Sequence, residues 1–155
     1  MHIFGVAADD THSLTYRSPQ FANPGTGWVV VRAKSLDADE IVRNLDTGLF
    51  YSSTGVELED VRITPLRLEI QIKARGNVGY TTDFIGAGGR VLHSTKENLA
   101  AYNLSAEDAD GATYVRARVT DPSGHHAWVQ PVFIRKEVGR AGSASTRVKL
   151  ASRTG

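Results

Sequence analysis

At 155 residues, with 41% hydrophobic and 23% charged side chains, the chain is long enough for one domain or slightly more and apolar enough to bury a core. It has no cysteine, which excludes disulfides, thiolate metal sites and cysteine nucleophiles without settling the compartment. The net charge of +1 is uneven: in residues 135–155 six Lys and Arg stand against Glu137, a net +5, so residues 1–134 carry −4, and a mildly acidic body is not the footprint of a nucleic-acid-binding fold.

No apolar run approaches the roughly 18 residues needed to span a bilayer. The start, Met1-His2-Ile3-Phe4-Gly5-Val6, lacks the basic residues and long apolar stretch of a signal peptide. Residues 3–8 read as a short apolar strand buried on both faces, of the kind found in parallel sheets. It ends in Asp9-Asp10-Thr11-His12, and a Pro- and Gly-rich loop follows. Residues 28–33, Trp-Val-Val-Val-Arg-Ala, read as a second apolar strand.

A helix is predicted over about 38–47. Asp37 is placed to cap it, Glu40 completes a capping-box-like pattern, and Leu36 with Ile41 fits a hydrophobic staple. Ile41, Val42, Leu45 and Leu49 supply its apolar stripe, and Gly48 suits its C-terminal end.

Beyond residue 50 the period changes to two. Leu66, Leu68, Ile70 and Ile72 alternate with Arg67, Glu69, Gln71 and Lys73, and Val115, Ala117 and Val119 alternate with Arg116, Arg118 and Thr120. Further strands are expected at 56–63, 78–85, 90–94, 99–104 and 126–134. Turns fall at 75–77, 86–89, 108–111 and 121–124. Six or seven short strands with regular turns predict an antiparallel β-sandwich. Residues 138–155 carry no period and are expected to be a disordered, dispensable tail. The organisation is therefore mainly β within an α+β class, in three parts. Residues 1–50 form a strand–loop–strand–helix segment of a larger α/β body, 51–134 the sandwich, and 135–155 the basic tail.

Asp10 and His12 lie two residues apart after an apolar run. In an extended chain residues i and i+2 point the same way, so both side chains can converge on one Zn, Mn or Fe ion. A loop in which an Asp caps a turn produces the same pattern. Ser53, Thr54 and Gly55, in Tyr51-Ser52-Ser53-Thr54-Gly55, have two readings. They could line a pocket for a phosphate or other anion, with Arg32 the cation placed to assist. Alternatively they form the turn that joins helix to sandwich, with Gly55 supplying an unusual backbone angle. His125 and His126 read as exposed turn residues, Gly86-Ala87-Gly88-Gly89 as a hairpin turn, and Trp28 and Trp128 as core. Glu57 and Glu59 read as a solvated face. Paired nucleophile motifs are absent.

Taken in order, these segments resemble one branch of the polymerase-and-histidinol-phosphatase (PHP) superfamily of metal-dependent hydrolases. The matching segments are Asp9-Asp10-Thr11-His12, Gly27-Trp28-Val29-Val30-Val31-Arg32-Ala33, Phe50-Tyr51-Ser52-Ser53-Thr54-Gly55, Tyr114 to Asp121, Gly124, and Ala127-Trp128 to Ile134. The resemblance covers about residues 5–135. It implies that 1–50 close a PHP-like body and that Asp10 and His12 are the family's late Asp-x-His metal ligands. It also implies a small-molecule phosphate or other ester as substrate. The early His-x-His pair, the further histidines and the bridging carboxylate of that family are not in this chain, so the resemblance implies an incomplete metal site whose missing partners are upstream PHP barrel residues. The alternative from another class is a non-catalytic β-sandwich binding module.

Overall fold

The computed structural model describes residues 2–15, 17–18, 22–64, 67–104, 114–136 and 148–150, the last segment and 135–136 by backbone only. Among the described residues there are ten strands and one α-helix: β1 (Trp28–Val31), α1 (Ala38–Asp46), β2 (Phe50–Ser53), β3 (Leu58–Thr64), β4 (Arg67–Ile72), β5 (Thr81–Ile85), β6 (Val91–Thr95), β7 (Leu99–Asn103), β8 (Tyr114–Thr120), β9 (His126–Lys136) and β10 (Val148–Leu150). They build two antiparallel sheets. The larger runs β1-β2-β9-β8-β5-β6, with β10 also paired to β9, and the smaller runs β3-β4-β7.

The two-residue period explains why the sheets stack. In β4 Leu68, Ile70 and Ile72 are buried while Arg67, Glu69 and Gln71 turn away. In β8 Val115, Ala117 and Val119 are fully buried between outward-facing arginines. These two rows meet, with Phe84, Ala100, Ala127 and Val129, in one core between the sheets. Leu66, expected in the same row, and the turn expected at 108–111 lie outside the described residues. Outside the core, Arg118 bridges to Asp83 at 2.9 Å, and Glu57 takes Lys73 at 2.9 Å together with Arg75.

The helix forms where its capping residue predicts. The Asp37 carboxylate accepts from the Glu40 N–H at 2.8 Å. Glu40 does not close the box on Asp37. Its carboxylate instead accepts from the Lys34 N–H and the Ser35 hydroxyl, so it ties down the loop before the helix. The staple is not made either, since Leu36 is 98% exposed, and Val42 also faces outward. The docking contact is polar: Asn44 Nδ2 donates to the Arg32 carbonyl at 2.6 Å, which hangs α1 on the end of β1.

Four sequence expectations are corrected. Residues 3–8 are not a strand and are not buried on both faces: Ile3 is 75% and Val6 70% exposed, because no neighbouring strand offers them a ladder. Phe50–Ser53 is not part of a turn. It is β2, an inner strand of the large sheet between β1 and β9. The boundary expected at residue 50 therefore falls inside a β–α–β unit whose two strands pair antiparallel, Val31 opposite Phe50 and Trp28 opposite Ser53. Within the tail expected to be disordered, Val148–Leu150 pairs with Ile134–Lys136 of β9. The remainder of that tail, except 135–136, lies outside the described residues. Finally, Trp28 and Trp128 are half-buried rather than core. Among the described residues no helix is long and apolar enough to cross a membrane.

His126 begins β9 on the outer face, its Nδ1 3.0 Å from the Thr120 hydroxyl and its ring beside Trp128. Burial, reinforced by the Arg118 charge, holds its pKa below the ordinary 6.5, against the pull of Asp121. The native form of the ring is thus neutral. Its contribution to stability is complete above pH about 6.5 and is lost as pH falls through the folded value. Thermal melts at pH 7.5 and 5 are expected to show a drop that His126→Gln flattens. An equal drop in both proteins would assign the effect to other groups.

Candidate functional site

The polar cluster after residue 8 is shaped from both ends. On its N-terminal side, residues 2–8 lie as a strap across the outer face of the large sheet. His2 stacks on Phe133 with ring centres 3.9 Å apart, and Phe4 meets Phe50 and Phe133 edge-on. Gly5 is held at both of its backbone groups. Its N–H donates to Gln130 Oε1 at 3.0 Å, while its carbonyl accepts from Gln130 Nε2 at 2.7 Å and from the Ser52 hydroxyl at 2.9 Å. Beside the strap runs an open groove of ≈ 820 Å³, whose lining includes Thr54, Arg116 and Trp128.

On the C-terminal side Asp9 anchors the loop. Its carboxylate accepts from the Gly25 N–H at 2.6 Å and from the Thr11 N–H at 3.2 Å. The Gly25 bond, with the Thr11 contacts, keeps its pKa below the ordinary carboxylate value. Gly27 lets the two sides approach, since a Cβ there would lie 3.0 Å from the Ala8 backbone.

Between these anchors the chain turns sharply. Asp10 has φ of +51°, the one left-handed non-glycine among the described residues. This is a conformation that Asp tolerates better than most side chains but that still costs of order 1 kcal/mol. Extended-chain alternation is therefore not what relates Asp10 to His12, as the spacing alone suggested. The His12 ring folds back instead, with Nδ1 2.7 Å from the Asp10 carbonyl oxygen. A carbonyl only accepts, so Nδ1 carries the hydrogen and the lone pair of the neutral ring is on Nε2. Both side chains are exposed, and among the described residues the Asp10 carboxylate has no partner. Among those residues, too, no group of three or more His, Asp or Glu is gathered where it could hold a metal ion.

The polar groups of Ser53, Thr54 and Gly55 are engaged at the end of β2, with Thr54 sharing the lining of the groove beside the strap. Ser53 is fully buried. Its hydroxyl donates to the Val56 carbonyl at 2.7 Å and accepts from the Gly55 N–H at 3.0 Å. Thr54 exchanges two bonds with His126: its N–H donates to the His126 carbonyl and its hydroxyl accepts the His126 N–H, both at 2.9 Å. Gly55 has φ of +153°, and a Cβ there would come within 2.8–3.0 Å of the His125 ring. Only glycine fits both demands. Arg32, considered above as an aid to anion binding, is ion-paired with Asp60 and donates to the Val61 carbonyl at 3.1 Å. Replacing Ser53 with Ala is expected to lower stability by about 1–3 kcal/mol, by taking the hydroxyl partner from the buried Val56 carbonyl and the partly buried Gly55 N–H. Urea unfolding measures it. An unchanged midpoint would return Ser53 to the anion-pocket reading.

Of the two histidines after β8, both expected as exposed turn residues, only His125 serves the turn; His126 is half-buried as the first residue of β9, because its backbone is held by Thr54. Asp121 accepts from the N–H groups of Ser123 and His125, both at 2.9 Å, and lies 3.0 Å from His125 Nδ1. The sequence pattern marked the Asp10–His12 loop. It did not mark Gln130, because one Gln in an apolar strand carries no signal of a partner 125 residues away.

Comparison of the chain with protein-family models, with curated proteins and with solved structures finds no match.

Proposed function

We propose that this chain supplies one edge of the divalent-metal centre of a PHP-type hydrolase, together with an accessory β-sandwich, and that Asp10 and His12 are the ligands it contributes. The observation that carries the reading is the His12 hydrogen bond. Metal-binding histidines characteristically donate their other ring N–H to a carbonyl or carboxylate, which fixes the tautomer and aims the ligating nitrogen. His12 does this through Nδ1 to its own loop, leaving Nε2 for a metal. The strained backbone of Asp10 and its unpartnered carboxylate add to it, since strain of this kind is concentrated at functional sites. Ile3 and Val6, on the strap that leads into the loop, are more than half exposed and so free to pack against the body that would bring the remaining ligands.

In that assembled site a Zn, Mn or Fe ion would lower the pKa of a bound water and stabilise charge on the leaving oxygen of an ester, most simply a phosphate ester. The role of this chain is to present a carboxylate and an imidazole nitrogen in a fixed relation. Two protein ligands leave at least two positions of a tetrahedral ion to water, so binding to this chain alone is expected to be weak. Calorimetric titration of Zn²⁺ and Mn²⁺ into the chain and into Asp10→Ala and His12→Ala variants tests the assignment. Weak binding lost in both variants is the expected result. Tight binding that survives both would put the ligands elsewhere and remove the reading.

A further inference from the structure

The strap and the ligand loop are one continuous run of backbone, and the best-built contact along it comes from an inner strand of the sandwich, 125 residues away in sequence. Gln130 is 3% exposed, in the middle of β9, and its amide is spent entirely on Gly5: the oxygen takes the Gly5 N–H and the nitrogen gives to the Gly5 carbonyl. This two-point grip fixes both the position of the strap and its rotation about its own axis. Ser52, also 3% exposed, adds a third bond to Gly5, the second on its carbonyl. Three residues later Ala8 abuts Gly27, and at the fourth Asp9 is tied to Gly25. These supports reach the residue before Asp10, and beyond it the Thr11 hydroxyl donates to the Ala22 carbonyl at 3.4 Å.

We propose that Gln130 is a positioning residue for the Asp10–His12 pair: by clamping Gly5 it sets where the loop emerges from the sheet and thus where the carboxylate and the imidazole nitrogen are presented. The inference rests on the reading of Asp10 and His12 as ligands, and it assigns the sandwich a task at that site. The outer face of β2 and β9 is the jig on which one edge of the metal centre is set. A ligand on an untethered loop would pay the ordering entropy when the ion binds, and the clamp removes that cost in advance. The Gln130 bonds lie outside the ligands themselves, so their loss should act like loss of an outer support, about 10–100-fold in metal affinity.

The test uses the full 155-residue chain and two observables. Amide hydrogen exchange at Gly5, Thr11 and Gly25 reports the order of the loop with no metal present, because the last two amides donate to Asp9. Mn²⁺-induced broadening of the His12 ring signals reports binding. Gln130→Leu removes both bonds from the sheet side, and Gly27→Ala crowds Ala8 from the other side without touching the core. Should Gln130→Leu fail to fold, Gly27→Ala and Ser52→Ala decide the matter. The expected result is exchange at Thr11 and Gly25 accelerated at least tenfold and Mn²⁺ affinity lowered, with the β4 and β8 amides as slow as in the parent. Gln130→Asn, too short to span both groups, should fall with the Leu variant. Asp10→Asn, which keeps a side chain that tolerates the left-handed turn, should weaken Mn²⁺ binding while leaving exchange unchanged. If Thr11 and Gly25 exchange at the parental rate in the Gln130 and Gly27 variants, Gln130 does not position the loop. If the parent shows no Mn²⁺ effect at His12, the ligand assignment fails, and the exchange data still decide the clamp.

Discussion

Replacing Ile70 with Asp is expected to unfold the protein at room temperature. Ile70 is fully buried on β4, the middle strand of the small sheet, paired with Val61 on one side and Ala100 on the other. It faces the row of Val115, Ala117 and Val119 across the core. The substitution forfeits roughly 1.5–3 kcal/mol of apolar burial. It also puts a carboxylate where no cation can reach, at a further cost of several kcal/mol, whether the group stays charged or is forced to take up a proton. Against a total stability of about 5–15 kcal/mol the sum is decisive. Gln71, one residue on, is half-buried on the opposite face and pairs with Asp60. Gln71→Lys should shift the melting temperature by little. Circular dichroism melts of both variants distinguish the outcomes, and comparable tolerance of the two changes would mean that the strand faces the other way.

Turnover is where the second large effect is expected. On the proposed reading the chain by itself should hydrolyse a generic phosphoester such as p-nitrophenyl phosphate no faster than free metal ions in buffer. Clustered metals are required to activate water and to stabilise the leaving oxygen together, and Asp10 and His12 would supply only one edge of that cluster. Supplied with a PHP barrel that carries the His-x-His pair and the bridging carboxylate, on the same or a second chain, metal-dependent turnover should appear. Asp10→Ala or His12→Ala should then lower it by more than about 100-fold, the upper limit for losing only an outer partner of a ligand. Robust turnover by the 155-residue chain, indifferent to both substitutions, would place the chemistry elsewhere in the molecule.

The sandwich core was legible because its information is local. Alternation along 67–72 and 115–119 depends only on each residue and its neighbour, so the buried rows could be named before any pairing was known. The Asp37 cap was legible for the same reason, as its bond to Glu40 spans three residues. Tyr51-Ser52-Ser53 was not. Small hydroxyl residues read as a turn, and only the sheet decides that β2 is an inner strand, because the ladders to β1 and β9 satisfy its backbone and its hydroxyls find carbonyls. Residues 3–8 failed in the opposite sense. Their apolar run suggested a buried strand, yet burial requires partners on both sides, and here the sheet offers side-chain amides and rings rather than a free edge.

The candidate site divides along the same line. Two adjacent aspartates and a histidine after an apolar run were sufficient to single out Asp10 and His12, since residue type and spacing are written in the chain. The left-handed turn at Asp10, the His12 ring folded back on the Asp10 carbonyl and the grip of Gln130 on Gly5 were visible only in the folded structure. Hydrogen bonds between groups 125 residues apart have no local pattern. They exist because folding the sandwich brings the middle of β9 beneath the strap, and a buried amide must then find both a donor and an acceptor.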